Sequence, residues 1–459
     1  MTRTAQAVCV LTAALMFAGC TAGSGPTSSP TPRASAAPSS TLAADWTEYH
    51  GGPGRSGLGP SSPPLDNPRK AWDSAVDGAV YASPLIVGGH VLVATENNTV
   101  YSLDLFSGAV VWKTHLGEPV AASALPCGNI SPVTGITGTP AVDPTSGRLY
   151  VVAFLAGMRH ALFTLKLVDG SVITQRVIDP AGSVPAAQQQ RGALSIGSGY
   201  VYVTFGGLFG DCGDYHGYVQ AVPLAGGQTL TYRTPVAREA GIWSPAGATI
   251  SASGSVYVVT GNGELSATFA YSNAVIRLSP DLHVQSFFAP SNWKDLDAGD
   301  VDLGSVGATL LPSLGVVLAI GKEGVAYVLG ADQLGGIGGQ RASRKVCSGA
   351  LGGTARSETD SMVWVPCSDG LVALSVTRDS IAVAWRAPRP SLGSPIMAAG
   401  VLWAIEPGSG TLFALNPASG AIVYSTSLGS ARQFSTPGAT EGFVVAPAGT
   451  QVIAISTAG

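Results

Sequence analysis

A unit of four short alternating runs recurs along this chain, and it restricts the fold more than any other feature. Its clearest copy opens on Ala82-Ser83-Pro84, runs through Leu85-Ile86-Val87, turns at Gly88-Gly89 and continues from His90 to Thr95. A polar turn at Glu96-Asn97-Asn98 leads into Thr99 to Asp104, Gly108 makes a further turn, and a last run carries Trp112. Alternation bounded by Gly, Asn and Asp marks antiparallel strands joined as hairpins. A second clear copy runs from Ser394-Pro395 to Tyr424, where Asn416, Gly420 and Tyr424 repeat the spacing of Asp104, Gly108 and Trp112. A four-stranded sheet is too small to bury its own faces, so neighbouring units must cover one another, as the blades of a β-propeller do.

Counting units predicts eight blades, near 78–117, 122–179, 188–235, 238–290, 301–346, 351–388, 391–429 and 432–456, with seven blades as the alternative. The last unit supplies only three strands. The lone run from Lys70 to Val76 is expected to complete it and close the ring. The expected fold is therefore all-β: an eight-bladed propeller of four-stranded antiparallel blades, one domain over 45–459. Composition agrees, with 46% hydrophobic residues, only 11% charged residues and 60 glycines, a profile of many buried strands and tight turns. The net charge of −4 comes without a basic run, which argues against a nucleic-acid partner.

Residues 1–20 read as an export segment, with Arg3 ahead of an apolar stretch from Val8 to Ala18 that is too short to span a bilayer. Its end, Phe17-Ala18-Gly19-Cys20, resembles the lipobox of bacterial lipoproteins, in which the cysteine is acylated; Phe17 stands where that pattern usually has Leu. The expected location is the outer face of the bacterial cell membrane, held by a lipid on Cys20, with an ordinary secretory signal as the alternative. Residues 21–44 are rich in Ser, Thr, Pro and Ala and read as a disordered tether. The chain has six cysteines; with Cys9 and Cys20 in the export segment, four remain in the body. In an exported protein these favour two disulfides over free thiols. Cys347 with Cys367 falls within one unit, and Cys127 with Cys212 would join adjacent units. No cysteine spacing is a metal motif and the six histidines are scattered, so no zinc site is expected.

The middle of the chain departs furthest from a plain repeat. Polar residues gather in what should be loops or starts of inner strands, which in a propeller converge on one mouth of the central channel. The candidate lining is Arg191, Asp211, His216, Trp243, Asn262, Asp302 and Lys322. Each has a plainer reading: Asn262-Gly263 is also a hairpin turn, Asp302 a backbone cap, and Lys322-Glu323-Gly324 a solvated turn. Trp112, Trp385 and Trp403 are expected to pack blades. The Gly335 to Gly339 run lacks the strand–helix context of a dinucleotide loop. No nucleophile–base set is evident, so no catalytic residue is assigned.

The repeats resemble those of the pyrroloquinoline quinone (PQQ) quinoprotein β-propeller superfamily, and Asp104 to Trp112 resembles its blade-docking motif, in which the tryptophan packs on the next blade. The likeness covers residues 45–456. It is strongest between 127 and 336, at Gly135 to Pro140, Asp211 to Tyr218, Thr260 to Gly263, Asp300 to Ser305 and Gly321 to Leu329, where it points to a bacterial branch without a settled activity. The resemblance implies a Thr-Gly-Asn turn presenting Asn262 to calcium, a turn cation at Lys322 against the quinone, and a base among Asp295, Asp297 and Asp302. It also puts Cys212 where the family has a Glu ligand and His216 where it has an arginine, and Cys212 cannot replace a hard oxygen ligand. The adjacent-cysteine disulfide of many such enzymes and any haem motif are missing. The resemblance thus implies PQQ with calcium as the candidate cofactor. The reading they favour is a monomeric binding module, for a small molecule or an envelope protein. The alternatives are a divergent PQQ-dependent dehydrogenase oxidising an alcohol or sugar and an envelope-assembly scaffold.

Overall fold

The computed structural model describes residues 45–389 and 391–458; the export segment, the tether and Cys20 lie outside these. Blade 1 forms from the runs Leu85–Val87, His90–Ala94, Thr99–Asp104 and Val110–His115, paired antiparallel in that order. Its two middle strands are buried almost throughout, whereas the outermost strand alternates between half-buried and exposed. Blades on both sides cover the middle strands; the outer strand meets a neighbour on one side only.

Eight such sheets form the ring. Their inner strands are Leu85–Val87, Ala141–Asp143, Ser195–Gly197, Thr249–Ile250, Thr309–Leu311, Ala355–Arg356, Ile396–Ala398 and Gly438–Thr440. In blade 8 the fourth strand is Arg69–Ala75, which pairs with Gln451–Ser456 so that Arg69 faces Ser456 and Ala75 faces Gln451. The two ends of the folded body therefore share one sheet, and the edge of the C-terminal strand is covered. Blade 4 carries an extra parallel strand, Gly336–Ile337, from the glycine run.

Tryptophans dock the blades. The outer-strand residues Trp72, Trp112 and Trp385 each donate Nε1–H to a carbonyl on the next blade, at Leu105, Leu167 and Pro417 (2.7, 3.1 and 2.9 Å). Each ring lies on a turn glycine, Gly108, Gly170 or Gly420, where a Cβ would sit 2.6, 2.4 or 2.5 Å from an indole carbon. These glycines also hold φ near +70°, so both space and backbone exclude other residues. Trp403 differs: it is fully buried and bonds Ala398 within its own blade.

The glycine-rich lead-in does more than the sequence suggests. Residues 46–59 cross one end of the ring, bonding the inner strands or their leads in most blades. Trp46 pairs with Ile86, the Thr47 carbonyl accepts from Val142, Pro53 from Ile250, Ser56 from Arg356 and Gly57 from Met397. Arg55 donates to the Leu194 and Ala246 carbonyls and forms a buried ion pair with Glu48 at 3.0 Å. This segment plugs that end of the channel.

Candidate functional site

At the opposite end, the loops ahead of the inner strands converge on a cavity of about 230 Å³. Blade 3 contributes Gln189 and Arg191, blade 4 Trp243 and Asn262, blade 5 Asp302 and Lys322, and blade 8 Phe434. Three glycines let the central turns close on Asp302. A Cβ on Gly261 would lie 2.2 Å from Asp302 Oδ1, one on Gly321 2.3 Å from the Asp302 carbonyl, and one on Gly304 2.5 Å from the Thr260 carbonyl carbon. Asp302 Oδ1 accepts from the Asn262 amide at 2.7 Å, and Oδ2 pairs with Lys322 Nζ at 2.6 Å. Asp300 holds the same ammonium at 2.9 Å.

Burial drives the Asp302 carboxyl upward, against the pull of Lys322. Burial also lowers Lys322, but Asp302 and Asp300 more than reverse it, so the ammonium stays charged. Aromatic rings form the walls: the Trp243 and Phe434 centroids are 6.2 Å apart, Lys322 Nζ lies 5.8 Å over Trp243, and the Arg191 guanidinium lies 5.2 Å over Phe434. Asp211 accepts from the Tyr215 hydroxyl at 2.5 Å; burial first, and that carboxylate second, push the phenol far above its usual range. Arg191 has no carboxylate within ion-pair distance among the described residues. Its nearest polar partner is Gln189 Oε1, at 3.5 Å. Burial lowers the guanidinium pKa, opposed by Glu96 and Tyr81.

Six of the seven candidate residues thus share one cavity: Arg191, Asp211, Trp243, Asn262, Asp302 and Lys322. His216 does not. It is buried beside the cavity in blade 3, with Nε2 2.7 Å from Arg233 and 3.4 Å from Asp214, and burial followed by Arg233 lowers its pKa and keeps it neutral. Asp297 is structural as well, accepting from Gly263 N, Ser272 and Asn273 at 2.8–2.9 Å. Asp295 lies on the short helix Trp293–Ala298 and does not line the cavity. Sequence reasoning missed Gln189, Tyr215, Asp300 and Phe434. Phe434 had a signal: like Tyr81 and Trp243, it stands just ahead of the small residues and proline that open a blade. The two disulfides form as paired, Cys127 with Cys212 and Cys347 with Cys367; the first ties the Asp211 loop to the preceding blade.

The donor set does not fit a calcium–quinone centre. Both Asp302 oxygens accept from the chain's own groups, and the Asn262 side-chain NH2 donates to Glu239 Oε2 at 3.4 Å, which leaves Asn262 Oδ1 as a single matching ligand oxygen. Glu239 is itself ion-paired with Arg238. Cys212, at the position of the family's Glu ligand, is locked in a disulfide. Calcium takes six to eight oxygen ligands, and among the described residues the cup offers it neither a free Asp302 carboxylate nor a Glu at position 212.

Fold and repeats together define the class, an eight-bladed β-propeller whose repeats are similar to PQQ-like ones. Residues 66–277 match the family model described as outer membrane protein assembly factor BamB. The outer membrane protein assembly factor BamB of Burkholderia pseudomallei is 30% identical over 131 residues, covering 28% of this chain and 33% of the relative; the match spans only a third of that protein's length. Among solved structures, the quinohemoprotein alcohol dehydrogenase ADHIIG from Pseudomonas putida superposes with a TM-score of 0.71 at 13% identity, covering 90% of this chain and 80% of that one. BamB from Moraxella catarrhalis superposes with a TM-score of 0.58 at 12% identity, covering 85% and 98%. At these identities the structural likeness speaks for the fold.

Proposed function

We propose that this chain is an exported, envelope-associated propeller that binds a small anionic ligand in the cup described above and carries out no oxidation there. The observation that carries the reading is Arg191. Its guanidinium lies over Phe434 in the cup and finds no carboxylate partner in the described residues, while Asp300 and Asp302 are turned to Lys322, whose one ammonium they share. A flat aromatic carboxylate seated against the Trp243 and Phe434 walls would give Arg191 an anionic partner and an aromatic contact. The plug at 46–59 makes the cup blind, so a ligand enters and leaves through one mouth.

Calorimetry with a panel of small aromatic carboxylates tests this: Arg191→Ala should weaken whatever binds by about tenfold or more, the loss of one charge-assisted pair. Unchanged binding in that variant would sink the reading. Incubation with PQQ and calcium should produce neither quinone absorbance nor dye-linked alcohol oxidation. A strong signal that disappears in Asn262→Ala and Lys322→Ala would establish the dehydrogenase instead.

A second reading, a scaffold for envelope-protein assembly, draws support from the BamB match over 66–277. Co-purification of an envelope protein, unaffected by Arg191→Ala, would favour it. The export segment, the two disulfides and the BamB likeness all support an envelope location. We extend the proposal to the chain's start, with 1–20 as signal, Cys20 acylated and 21–44 as tether. Intact-mass detection of an acyl group, and release of Cys20→Ser protein from membranes, are the expected results.

A further inference from the structure

Five of the eight blade boundaries share a contact that the boundary between blades 2 and 3 lacks among the described residues. A carbonyl just past the third strand of a blade accepts a hydrogen bond from a ring on the preceding blade. Leu105, Leu167 and Pro417 accept from Trp72, Trp112 and Trp385, while Pro280 and Ala331 accept from Tyr202 and Tyr257, both at 2.9 Å. In blade 3 the matching carbonyl is Leu224. Its N–H bonds back to Gly199 as those of Leu105 and Leu167 bond to Gly89 and Gly147.

Among the described residues no ring donates to Leu224. The position that holds Trp112 in blade 1 holds Thr174 in blade 2: Thr174 faces Thr164 as Trp112 faces Ser102. Its hydroxyl turns aside to Thr164 at 3.0 Å. The turn glycine at the matching spacing, Gly227, and its neighbour Gly226 both have nothing within 4 Å of where a Cβ would be, whereas Gly108, Gly170 and Gly420 each meet an indole. What remains between blades 2 and 3 is a cavity of about 240 Å³. Leu162, Val201 and Val222 form its apolar wall, and Arg148 and Arg176 flank it without an ion-pair partner among the described residues.

We propose that this cavity receives a tryptophan side chain, flanked by acidic residues, from a protein partner. The indole N–H would donate to the Leu224 carbonyl and the ring would lie on the Gly226-Gly227 turn, as three of the chain's own tryptophans do on theirs. The unpaired Arg148 and Arg176 call for carboxylates on either side. The inference stands apart from the cup and does not depend on Arg191.

The probe is a short peptide with one tryptophan between aspartates, titrated by calorimetry into the whole protein. We expect saturable binding that weakens with salt and falls about tenfold or more when the peptide's tryptophan becomes leucine. Thr174→Trp should abolish binding, because the chain's own indole then fills the cavity, and should raise the thermal midpoint. Arg148→Ala with Arg176→Ala should weaken binding and flatten its salt dependence. Equal binding of the leucine peptide overturns the proposal. So does undiminished binding by folded Thr174→Trp. Binding of free indole-3-acetate without binding of the peptide also overturns it, assigning the cavity to a small molecule.

Discussion

Glu96 is fully buried beneath the channel mouth, where it accepts from Gly135 N at 2.6 Å and Thr137 Oγ1 at 2.9 Å. Burial raises its pKa from 4.5 to about 7, against those two donors. Between these values the folded chain keeps a proton that the unfolded chain has lost. Stability contributed here is therefore present at low pH, falls as pH rises from about 4.5 to about 7, and levels off above that. Glu96→Gln should flatten this part of a urea-midpoint profile against pH. Gly261 is a second single-residue control point, since a Cβ there would collide with Asp302 Oδ1 at 2.2 Å. Gly261→Ala should lower the thermal midpoint and weaken ligand binding in the cup together. Neither residue's importance is legible from its type: Glu96 sits in what reads as a solvated turn, and Gly261 in a common hairpin sequence.

Single blades hold together by strand pairing and the ring by apolar packing between blades, to which three boundaries add an indole on a turn glycine. Trp385→Ala would remove both the indole on Gly420 and the bond to Pro417. It should cost about 3 kcal/mol, at the lower end for a large-to-small core change because the ring is only part-buried. Denaturant melts should show this as a lower midpoint. The docking unit was legible because Asp104/Gly108/Trp112 and Asn416/Gly420/Tyr424 share one spacing, although only its turn glycines repeat the contact, while Tyr424 turns to Trp403 in its own blade. The eroded boundaries were not legible, because a tyrosine from a different strand, Tyr202 or Tyr257, reaches the same carbonyl. Such substitution preserves the hydrogen bond while erasing the motif.

At the scale of the whole ring, the N-terminal body does two separate jobs. Arg69–Ala75 completes blade 8, and residues 46–59 plug the channel. Deleting 45–59 should leave a closed, monomeric ring with a markedly lower thermal midpoint, because carbonyls at Leu194 and Ala246 lose the Arg55 guanidinium and the Glu48 pair vanishes. Extending the deletion through Asp77 should instead yield aggregates on size-exclusion chromatography, since it bares the Gln451–Ser456 edge. If both truncations behave alike, the two roles are not separable.

The sequence by itself determined the strand alternation, the repeated unit and the closure by an N-terminal strand, and it favoured eight units over seven, the two disulfide pairs and six residues that line the cup. All of these follow from local period, turn chemistry and repeat spacing, which are written along the chain. Only the tertiary structure decided which side chains face one another across the axis. It sent His216 sideways to Arg233 while bringing Phe434, nearly two hundred residues further on in the chain, to Trp243. It also turned a glycine-rich lead-in into a plug and left an indole-sized gap between blades 2 and 3. The reason is geometric: radial packing joins residues according to their height along the channel and their position around it, and neither is encoded by separation in sequence.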